Sequence, residues 1–505
     1  MRHDDSEQER LPKDDAGPLL AASSKRPRLT YALACCVTYN LFANHWNRDS
    51  IGALELPLEN DPTFGFSVRQ YNSLSAAYFA PNIPVPFVAG VLSQIYGPAL
   101  IYVGFGAAAF CGNVLFAAAA LTPPRYPLLL SGRVITGIAY EALDMVPIGL
   151  LSPRFEGQWG TMVGVINGVN RLGSVLNFLL EPLILRSRGG AAAALLLPAL
   201  LGASMLPCCL AAWHIDRTLR RRAQAKALAD AQAEAAQSGV GSDAAAVQPA
   251  EGRLTLSIAT LPATIRRFTA TYWLFLLGSM CVYGSVVPFW FIGAKHIALR
   301  WDMGLAAADA YLLWPEGSIA LVAPPFGLLI DRHKWSFERR LVVSAVSLLA
   351  VSASLLALAW LPLPPVIGVC MLGLGYACAQ NLIWSTVPLA SPPELLNLSA
   401  GLIGCAVNVL PMLLPAVAFD GNGSRDCTIL AAVGALGFVA LAAGACIERS
   451  RRTRTQRGRG GGAGGRAWLS GSQLPELPAP EGAALPPTDE DPPQHHHGGG
   501  GGFGE

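Results

Sequence analysis

The stretch from Arg133 to Leu183 reads RVITGIAYEALDMVPIGLLSPRFEGQWGTMVGVINGVNRLGSVLNFLLEPL and joins two apolar runs through a short polar loop at Pro153–Gly157. Each run carries a charge deep inside it, Glu141 in the first and Arg171 in the second. A charged side chain at the centre of a membrane costs about 3 kcal/mol or more, so it is rare and usually functional. The two charges lie at similar distances from the loop. Neighbouring membrane spans would therefore bring them together near the bilayer midplane, where transporters bind their substrates.

The composition of the chain is typical of a membrane protein. Of the 505 residues, 52% are hydrophobic and 14% are charged, and the mean hydropathy is +0.40. Soluble domains carry about 25% charged residues. The formal net charge of +2 gives no reason to expect a nucleic-acid partner. The 11 cysteines lie in or beside apolar runs and lack the spacing of metal ligands, so we expect small buried hydrophobic residues and no cofactor.

Apolar runs of about 20 residues, the length that crosses a bilayer, organise the whole chain. We predict an all-α integral membrane protein whose 12 transmembrane helices form two six-helix bundles. The excess of Lys and Arg in alternate loops places both termini in the cytosol. The predicted segments are a disordered cytosolic tail at 1–28, a first bundle at 29–213, a partly helical cytosolic linker at 214–267, a second bundle at 268–448 and a disordered cytosolic tail at 449–505.

Six spans, a long cytosolic loop and six further spans are the plan of the major facilitator superfamily. The loop after the eighth span, GLLIDRHKWSFERR at 327–340, resembles the superfamily's cytosolic gate loop. This resemblance implies that Asp331 caps a helix end and pairs with Arg332 or Arg339 when the gate closes. The corresponding loop of the first half keeps Gly90 but has Gln94 in place of the acid. The resemblance implies two bundles that rock around a central site.

The stretch quoted first is similar to the fourth and fifth spans of one family, the lysosomal dipeptide transporters known as major facilitator superfamily domain-containing protein 1. The matching elements include Glu141, Arg171 followed by Leu-Gly-Ser, and Asn177, and patchy similarity extends over residues 29–447. The resemblance implies that Glu141 binds the α-ammonium of a dipeptide and Arg171 its α-carboxylate. In the empty site the two side chains can pair with each other, which avoids an uncompensated buried charge. A permanent structural ion pair is the alternative.

Polar and aromatic residues in the spans that usually line the central cavity are further candidates for substrate binding. Taken singly, each is more often a residue of interhelical hydrogen bonding or packing. Asn167 stands out because it lies one turn from Arg171 on the same helix face. Besides the two charges, the candidates are Tyr78, Asn167, Asn170, Tyr283, Trp290, Tyr376, Gln380 and Trp384.

These features predict an alternating-access transporter, and not an enzyme, that moves dipeptides from the lysosomal lumen to the cytosol. The first span lacks the Glu-x-x-Glu-Arg signature of proton-coupled oligopeptide transporters, which favours uniport. The alternatives are a facilitator of an amino acid, an organic anion or a sugar, and a non-transporting receptor or scaffold of the same fold. One acid and one base in the site favour a zwitterion over an anion.

The N-terminal tail contains an acidic dileucine pattern, Asp15-Ala-Gly-Pro-Leu19-Leu20, of the kind that sorting adaptors recognise. The family carries its lysosomal sorting signal at this place, so the resemblance implies a multi-pass protein of the lysosomal membrane. The plasma membrane or another endomembrane is the alternative. The resemblance also implies a glycosylated single-span accessory subunit as a partner, in addition to the lipid bilayer and the dipeptide.

Overall fold

The computed structural model describes residues 27–51, 62, 64–123, 125–185, 187, 190–238 and 260–460. Within these residues the regular structure is helical and no strand occurs, so the predicted all-α class is confirmed for them. The chain divides into a unit at Met1–Thr453 and a second at Arg454–Glu505. The second unit is described only by helical residues 454–460. The sorting residues Asp15, Leu19 and Leu20 lie outside the described residues.

Prolines and glycines set the boundaries of the helices in the first half. Pro81 and Pro84 lack a backbone N–H, and the chain makes a separate 3₁₀ turn at Ala80–Asn82 between two helices. Gly97 adopts a positive φ of 88°, and Pro98 then occupies the first turn of the next helix. The helices are α1 (Arg28–Ser50), α2 (Val68–Phe79), α3 (Pro84–Tyr96), α4 (Pro98–Leu121), α5 (Arg125–Leu151), α6 (Trp159–Leu185), α7 (Gly190–Ala203) and α8 (Met205–Ser238).

Helix caps set several boundaries in the second half. The Thr269 side chain accepts a hydrogen bond from the backbone N–H of Tyr272, and Ser336 does the same for Arg339. The helices are α9 (Leu261–Ile265), α10 (Ala270–Arg300), α11 (Leu305–Ala310), α12 (Leu313–Arg332), α13 (Phe337–Trp360), α14 (Pro365–Ala390), α15 (Leu396–Val417) and α16 (Gly423–Gly460).

Among the described residues, 10 helical segments are long and apolar enough to cross a membrane. They fall at the predicted third to twelfth spans. At the first predicted span, α1 contains the buried residues Asn40, Asn44 and Asn47. Because asparagine is polar, these residues lower the hydropathy of the helix. At the second, the Ala80–Asn82 turn divides the run between α2 and α3. The count of 12 spans and the cytosolic side of both termini therefore stay predictions.

Small residues bring the two halves into close contact. Helix α6 of the first half packs along α12 of the second, and α3 packs against α15. A Cβ at Gly164 of α6 would lie 2.3 Å from the carbonyl oxygen of Ala323, so only glycine allows this approach of the two backbones. These two helix contacts join the halves.

Candidate substrate site and gate

A cavity of about 440 Å³ lies between the two halves. Helices α1, α2, α5 and α6 line it from the first half, and α10, α14 and α15 line it from the second. All the residues predicted to bind substrate lie on its wall, although their role in binding stays a prediction. They are Tyr78, Glu141, Asn167, Asn170, Arg171, Tyr283, Trp290, Tyr376, Gln380 and Trp384.

Arg171 forms its ion pair with Glu316 of α12. Its Nη1 donates to the two carboxylate oxygens of Glu316 at 2.9 and 3.1 Å, and its Nη2 donates to Oε1 of Gln380 at 3.4 Å. The indole N–H of Trp290 donates to the same carboxylate at 2.8 Å. The expectation that Arg171 pairs with Glu141 in the empty site is therefore wrong. The physical reason is that α12 of the other half brings a carboxylate to the guanidinium, so the buried charge is already compensated.

Glu141 and Asp144 lie one turn apart on α5, and both line the cavity. Oε1 of Glu141 accepts a hydrogen bond from the Asn408 amide at 2.6 Å. Oδ1 of Asp144 accepts one from the Asn44 amide at 2.6 Å, and Nε2 of His45 lies 4.0 Å from its Oδ2. The hydrogen bonds to these two carboxylates therefore come from asparagine amides.

Two further arginines, Arg48 of α1 and Arg133 of α5, line the cavity. Arg48 binds its neighbour Asp49 in a bidentate pair, with N···O distances of 2.6 and 3.0 Å. The guanidinium of Arg133 lies 4.4 Å from the centre of the Tyr78 ring, and its Nη2 donates to the carbonyl of Arg48 at 3.3 Å. The positive charge of Arg133 is thus placed against an aromatic face.

Several buried polar atoms on the cavity wall have no partner within the described part of the chain. They include Nε of Arg171, Nδ2 of Asn167, Oδ1 of Asn170 and the hydroxyl of Tyr376. Buried polar atoms in folded proteins are nearly always hydrogen-bonded, so such atoms on a cavity wall are available to water or a ligand. Their mixture of donors and acceptors, beside the rings of the second half, suits a small polar molecule with an apolar part.

One end of the interface is closed by hydrogen bonds between the halves. We call it the gate end and define it by Gly90, Gln94, Asp331 and the N-terminus of α6. The carboxylate of Asp331 accepts from the backbone N–H of Gly160 at 3.0 Å and of Thr161 at 2.5 Å, and from the Thr161 hydroxyl at 2.7 Å. Asp331 of the second half thus caps a helix of the first.

The predicted pairing of Asp331 with Arg332 or Arg339 does not occur. Arg332 is exposed, and the guanidinium of Arg339 lies 4.7 Å from the ring centre of Trp335. The acid at position 331 instead finds backbone and hydroxyl donors at the start of α6, which supply both hydrogen bonds and the positive end of the helix dipole.

Further contacts seal the gate end. The side-chain amide of Gln94 donates to the backbone carbonyl of Glu394, so the residue that replaces the expected acid still joins the halves. A Cβ at Gly90 would lie 2.7 Å from the carbonyl oxygen of Asn397 and 3.0 Å from the Cα of Gly401. Deeper in the molecule, the indole N–H of Trp159 donates to the carbonyl of Trp384 at 3.2 Å. Both tryptophans also line the cavity.

Sequence reasoning missed Glu316, Asp144 and Asn408. The rule that singled out Glu141 applies equally to the first two, because Glu316 lies in the predicted eighth span and Asp144 lies three residues beyond Glu141. For Asn408 the sequence holds no comparable signal, since an isolated amide in a span more often bonds to a neighbouring helix.

Comparison with known proteins decides the family. The profile described as "Major Facilitator Superfamily" matches residues 37–415. The chain belongs to the major facilitator superfamily. Among curated proteins of this superfamily, it is 23% identical to the human "Lysosomal dipeptide transporter MFSD1" over 379 residues, which cover 73% of this chain and 74% of that protein. The protein of the same name from Danio rerio is 22% identical over 419 residues, or 80% of this chain and 83% of the relative.

Solved structures of the superfamily share the fold. The E. coli fucose:proton symporter FucP matches with a TM-score of 0.59 at 15% identity, covering 82% of this chain and 98% of that one. The human organic anion transporter MFSD10 matches with a TM-score of 0.57 at 14% identity, covering 82% and 99%. This confirms the predicted major facilitator superfamily fold and makes the chain a transporter homologue.

Proposed function

We propose that this protein moves dipeptides from the lysosomal lumen to the cytosol by alternating access, as a uniporter. The observation that carries the proposal is that Glu141 and Arg171, on consecutive helices of the first half, line one cavity that the second half completes. A dipeptide is a zwitterion, and Glu141 and Arg171 offer an opposite charge to each of its two ends. The curated relatives are lysosomal dipeptide transporters by name, which supports the same substrate class.

In this proposal Arg171 binds the α-carboxylate without leaving Glu316. Its Nη1 is engaged by Glu316, but its Nε has no partner and its Nη2 makes only a 3.4 Å contact with Gln380. A carboxylate on that edge of the guanidinium would form charge-assisted, bidentate hydrogen bonds. The indole N–H of Trp290 also donates to Glu316, which helps to hold the carboxylate in place.

Glu141 binds the α-ammonium of the dipeptide by exchanging its hydrogen bond from Asn408 for a stronger one from the ammonium group. In the structure its Oε1 accepts a hydrogen bond from the neutral amide of Asn408. An ammonium group offers charge-assisted donors, which bind a carboxylate about twice as strongly as a neutral donor does. Asn167, Asn170 and Tyr376, with their free polar atoms, would then serve the peptide bond.

The transport cycle follows from the closed gate end. In the proposed topology, with bundles at 29–213 and 268–448 and both termini in the cytosol, the gate end faces the cytosol and the cavity accepts substrate from the lumen. Release requires the Asp331 cap and the Gly90 contact to separate while the other ends approach. A lysosome produces dipeptides by proteolysis, so their concentration gradient drives export without coupling to protons.

Thermal stabilisation of the purified protein tests the site first. Free dipeptides should raise the unfolding midpoint, whereas N-acetylated dipeptides, C-amidated dipeptides and single amino acids should do so much less. Glu141→Gln and Arg171→Lys should lose the effect, while Glu338→Gln, on a part-exposed glutamate outside the cavity, should keep it. Stabilisation by a sugar or an organic anion but by no dipeptide would overturn the proposal.

Flux in proteoliposomes tests the mechanism. Labelled dipeptide should exchange across the membrane in the absence of a pH gradient, and an imposed proton gradient should not concentrate it. Accumulation that follows the proton gradient would contradict uniport while leaving the substrate class intact. Binding of dipeptides without any flux would instead support a receptor of the same fold.

A further inference from the structure

Helix α8 continues past the apolar part of its membrane span without a break. The chain from Gly190 to Trp213 carries no charged residue and measures roughly 36 Å at 1.5 Å per residue, whereas the hydrocarbon core of a bilayer is about 30 Å thick. The helix itself runs on to Ser238. Tryptophan is enriched at the membrane–water interface, so Trp213 marks that boundary. The turns of α8 that follow Trp213 therefore pass through the layer of lipid headgroups.

These turns are strongly basic. No acid occurs between Asp216 and Asp230. A group of about four to eight Lys or Arg residues beside a membrane span attracts anionic lipids, and each cation near the surface raises the affinity by roughly fivefold. The cations of α8 that follow Trp213 are all exposed, and they are Arg217, Arg220, Arg221, Arg222 and Lys226.

The nearest acid does not neutralise this group. Asp216 exposes only 3% of its surface, and each of its carboxylate oxygens already accepts a hydrogen bond from an arginine. Its Oδ2 accepts from Nε of Arg220 at 2.9 Å, and its Oδ1 accepts from Nη2 of Arg154. Arg217 and Arg221 make no ion pair within the described part of the chain. The charges of these two arginines are therefore available to a ligand.

The helical repeat groups the two available cations with Trp213. Residues three or four apart share a helix face, and Arg217 and Arg221 continue the face on which Trp213 lies. The guanidinium of Arg217 lies 5.6 Å from the centre of the Trp213 ring. We call Trp213, Arg217 and Arg221 the basic face of α8. It combines an aromatic ring at the membrane boundary with two guanidinium groups that are one turn apart.

The basic face lies at the gate end of the molecule. Arg154, which donates to Asp216 of α8, belongs to the Ser152–Arg154 turn that leads from α5 toward α6. The N-terminus of α6 is the part of the gate end that Asp331 caps. A ligand of the basic face would therefore lie at the membrane surface on the closed side of the transporter.

We propose that the basic face of α8 binds the headgroup of an anionic phospholipid. The forked N–H groups of Arg217 and Arg221 match the oxygens of a phosphate or carboxylate, and the Trp213 ring packs where headgroup and acyl chain meet. The occupant is a lipid and not a free phosphate, because the two arginines begin one turn beyond the uncharged part of a membrane span.

Native mass spectrometry of the detergent-solubilised full chain tests this proposal. The protein is titrated with phosphatidylserine, with phosphatidylcholine and with glycerophosphoserine, which is the soluble headgroup without acyl chains. Phosphatidylserine should bind at least tenfold more tightly than phosphatidylcholine, because each nearby cation favours the anionic lipid. An excess of glycerophosphoserine should not displace it, since the headgroup alone lacks the apolar part that enters the membrane.

The double variant Arg217→Gln with Arg221→Gln should weaken the binding of phosphatidylserine by roughly thirtyfold and leave that of phosphatidylcholine unchanged. Arg217→Lys with Arg221→Lys keeps both charges and should retain most of the preference. These positions are exposed, so circular dichroism should show the helix content of the unchanged protein.

A second double variant, Lys226→Gln with Arg425→Gln, removes the same net charge elsewhere. Lys226 lies roughly 20 Å along the helix from Trp213, which leaves it beyond the headgroups by more than the Debye length of about 8 Å. Arg425 is exposed and paired with Asp420, outside the basic face. Affinity for phosphatidylserine should therefore stay within about twofold of the unchanged protein.

Equal affinity for phosphatidylserine and phosphatidylcholine in the unchanged protein would overturn the lipid site. So would a preference that survives the two Arg→Gln changes, or one that the control variant loses to the same extent. Displacement by glycerophosphoserine would identify a free phosphate site instead of a lipid site. A loss in the lysine variant as complete as in the glutamine variant would overturn the account based on charge.

Discussion

Glu316 and Arg171 form a buried ion pair across the interface of the two halves, with Nη1 of Arg171 2.9 Å from Oε2 of Glu316. Each side chain exposes only 6% of its surface. The indole of Trp290 holds the carboxylate from a third helix. This pair lies beside the cavity, so it fixes the orientation of the guanidinium proposed to bind substrate.

Removal of the acid from this pair should destabilise the protein strongly. Glu316→Gln leaves the Arg171 guanidinium buried without a compensating charge, and breaking a buried pair from one side costs about 3–5 kcal/mol. We expect the midpoint of thermal unfolding in detergent to fall by several degrees. The double variant with Arg171→Gln should recover part of the loss, because no buried charge then remains.

Glu338→Gln is the matched control for that change. Glu338 lies 3.7 Å from Arg452 in a pair that is part-exposed on both sides. Such pairs contribute about 0–1 kcal/mol, so this variant should unfold close to the midpoint of the unchanged protein. An equal loss in Glu316→Gln and Glu338→Gln would contradict a special role for the buried pair.

Loss of the helix cap at the gate end should be visible in hydrogen exchange. Asp331→Ala removes the acceptor from the N–H groups of Gly160 and Thr161. A lost cap costs about 1 kcal/mol, which corresponds to roughly fivefold faster exchange of those amides. Mass spectrometry of the peptide that spans the start of α6 measures this directly.

Arg332→Ala separates the two accounts of the gate. The sequence predicted that Arg332 pairs with Asp331, whereas the structure leaves Arg332 exposed and gives Asp331 other donors. Exchange at the start of α6 should therefore remain unchanged in Arg332→Ala. Exchange that becomes as fast in Arg332→Ala as in Asp331→Ala would restore the ion-pair account.

The dileucine pattern lies outside the described residues and is tested in cells. Leu19→Ala with Leu20→Ala should move the protein from lysosomes to the plasma membrane, because the adaptor would lose its two apolar anchors. Surface biotinylation quantifies the shift. Leu11→Ala, in the same tail but outside the pattern, should leave the location unchanged. Undiminished lysosomal staining of the double variant would rule out the signal.

Much of the fold and the cavity wall could be predicted because both depend on local sequence. Apolar run length marks the helices at the third to twelfth predicted spans, and a charge such as Glu141 inside a run marks a wall residue. The first two spans are harder to recognise by hydropathy. Buried asparagines in α1 and the prolines between α2 and α3 reduce the signal there.

The partners of the charged groups could not be predicted, because they depend on how two separate bundles meet. Arg171 lies 145 residues before Glu316 in the chain, and nothing in the spacing of either indicates the contact. The pairing of adjacent spans, which led to Arg171 and Glu141, ignores the direction in which each side chain leaves its helix. Asp331 likewise bonds to α6 of the other half, and not to the arginines near it in sequence.

Closure of the gate end depends on the absence of a side chain at Gly90. Because a Cβ there would lie 2.7 Å from the Asn397 carbonyl, Gly90→Val should destabilise the closed arrangement. Overpacking of this kind costs about 1–3 kcal/mol, which shifts the ratio of closed to open molecules by roughly fivefold to a hundredfold. We expect slower dipeptide flux and faster hydrogen exchange around Asn397, with helix content retained.

Gly104→Val provides the control, since a Cβ at Gly104 meets open space on α4. Equal flux and equal exchange in the two variants would mean that the Gly90 contact has no part in the transport cycle.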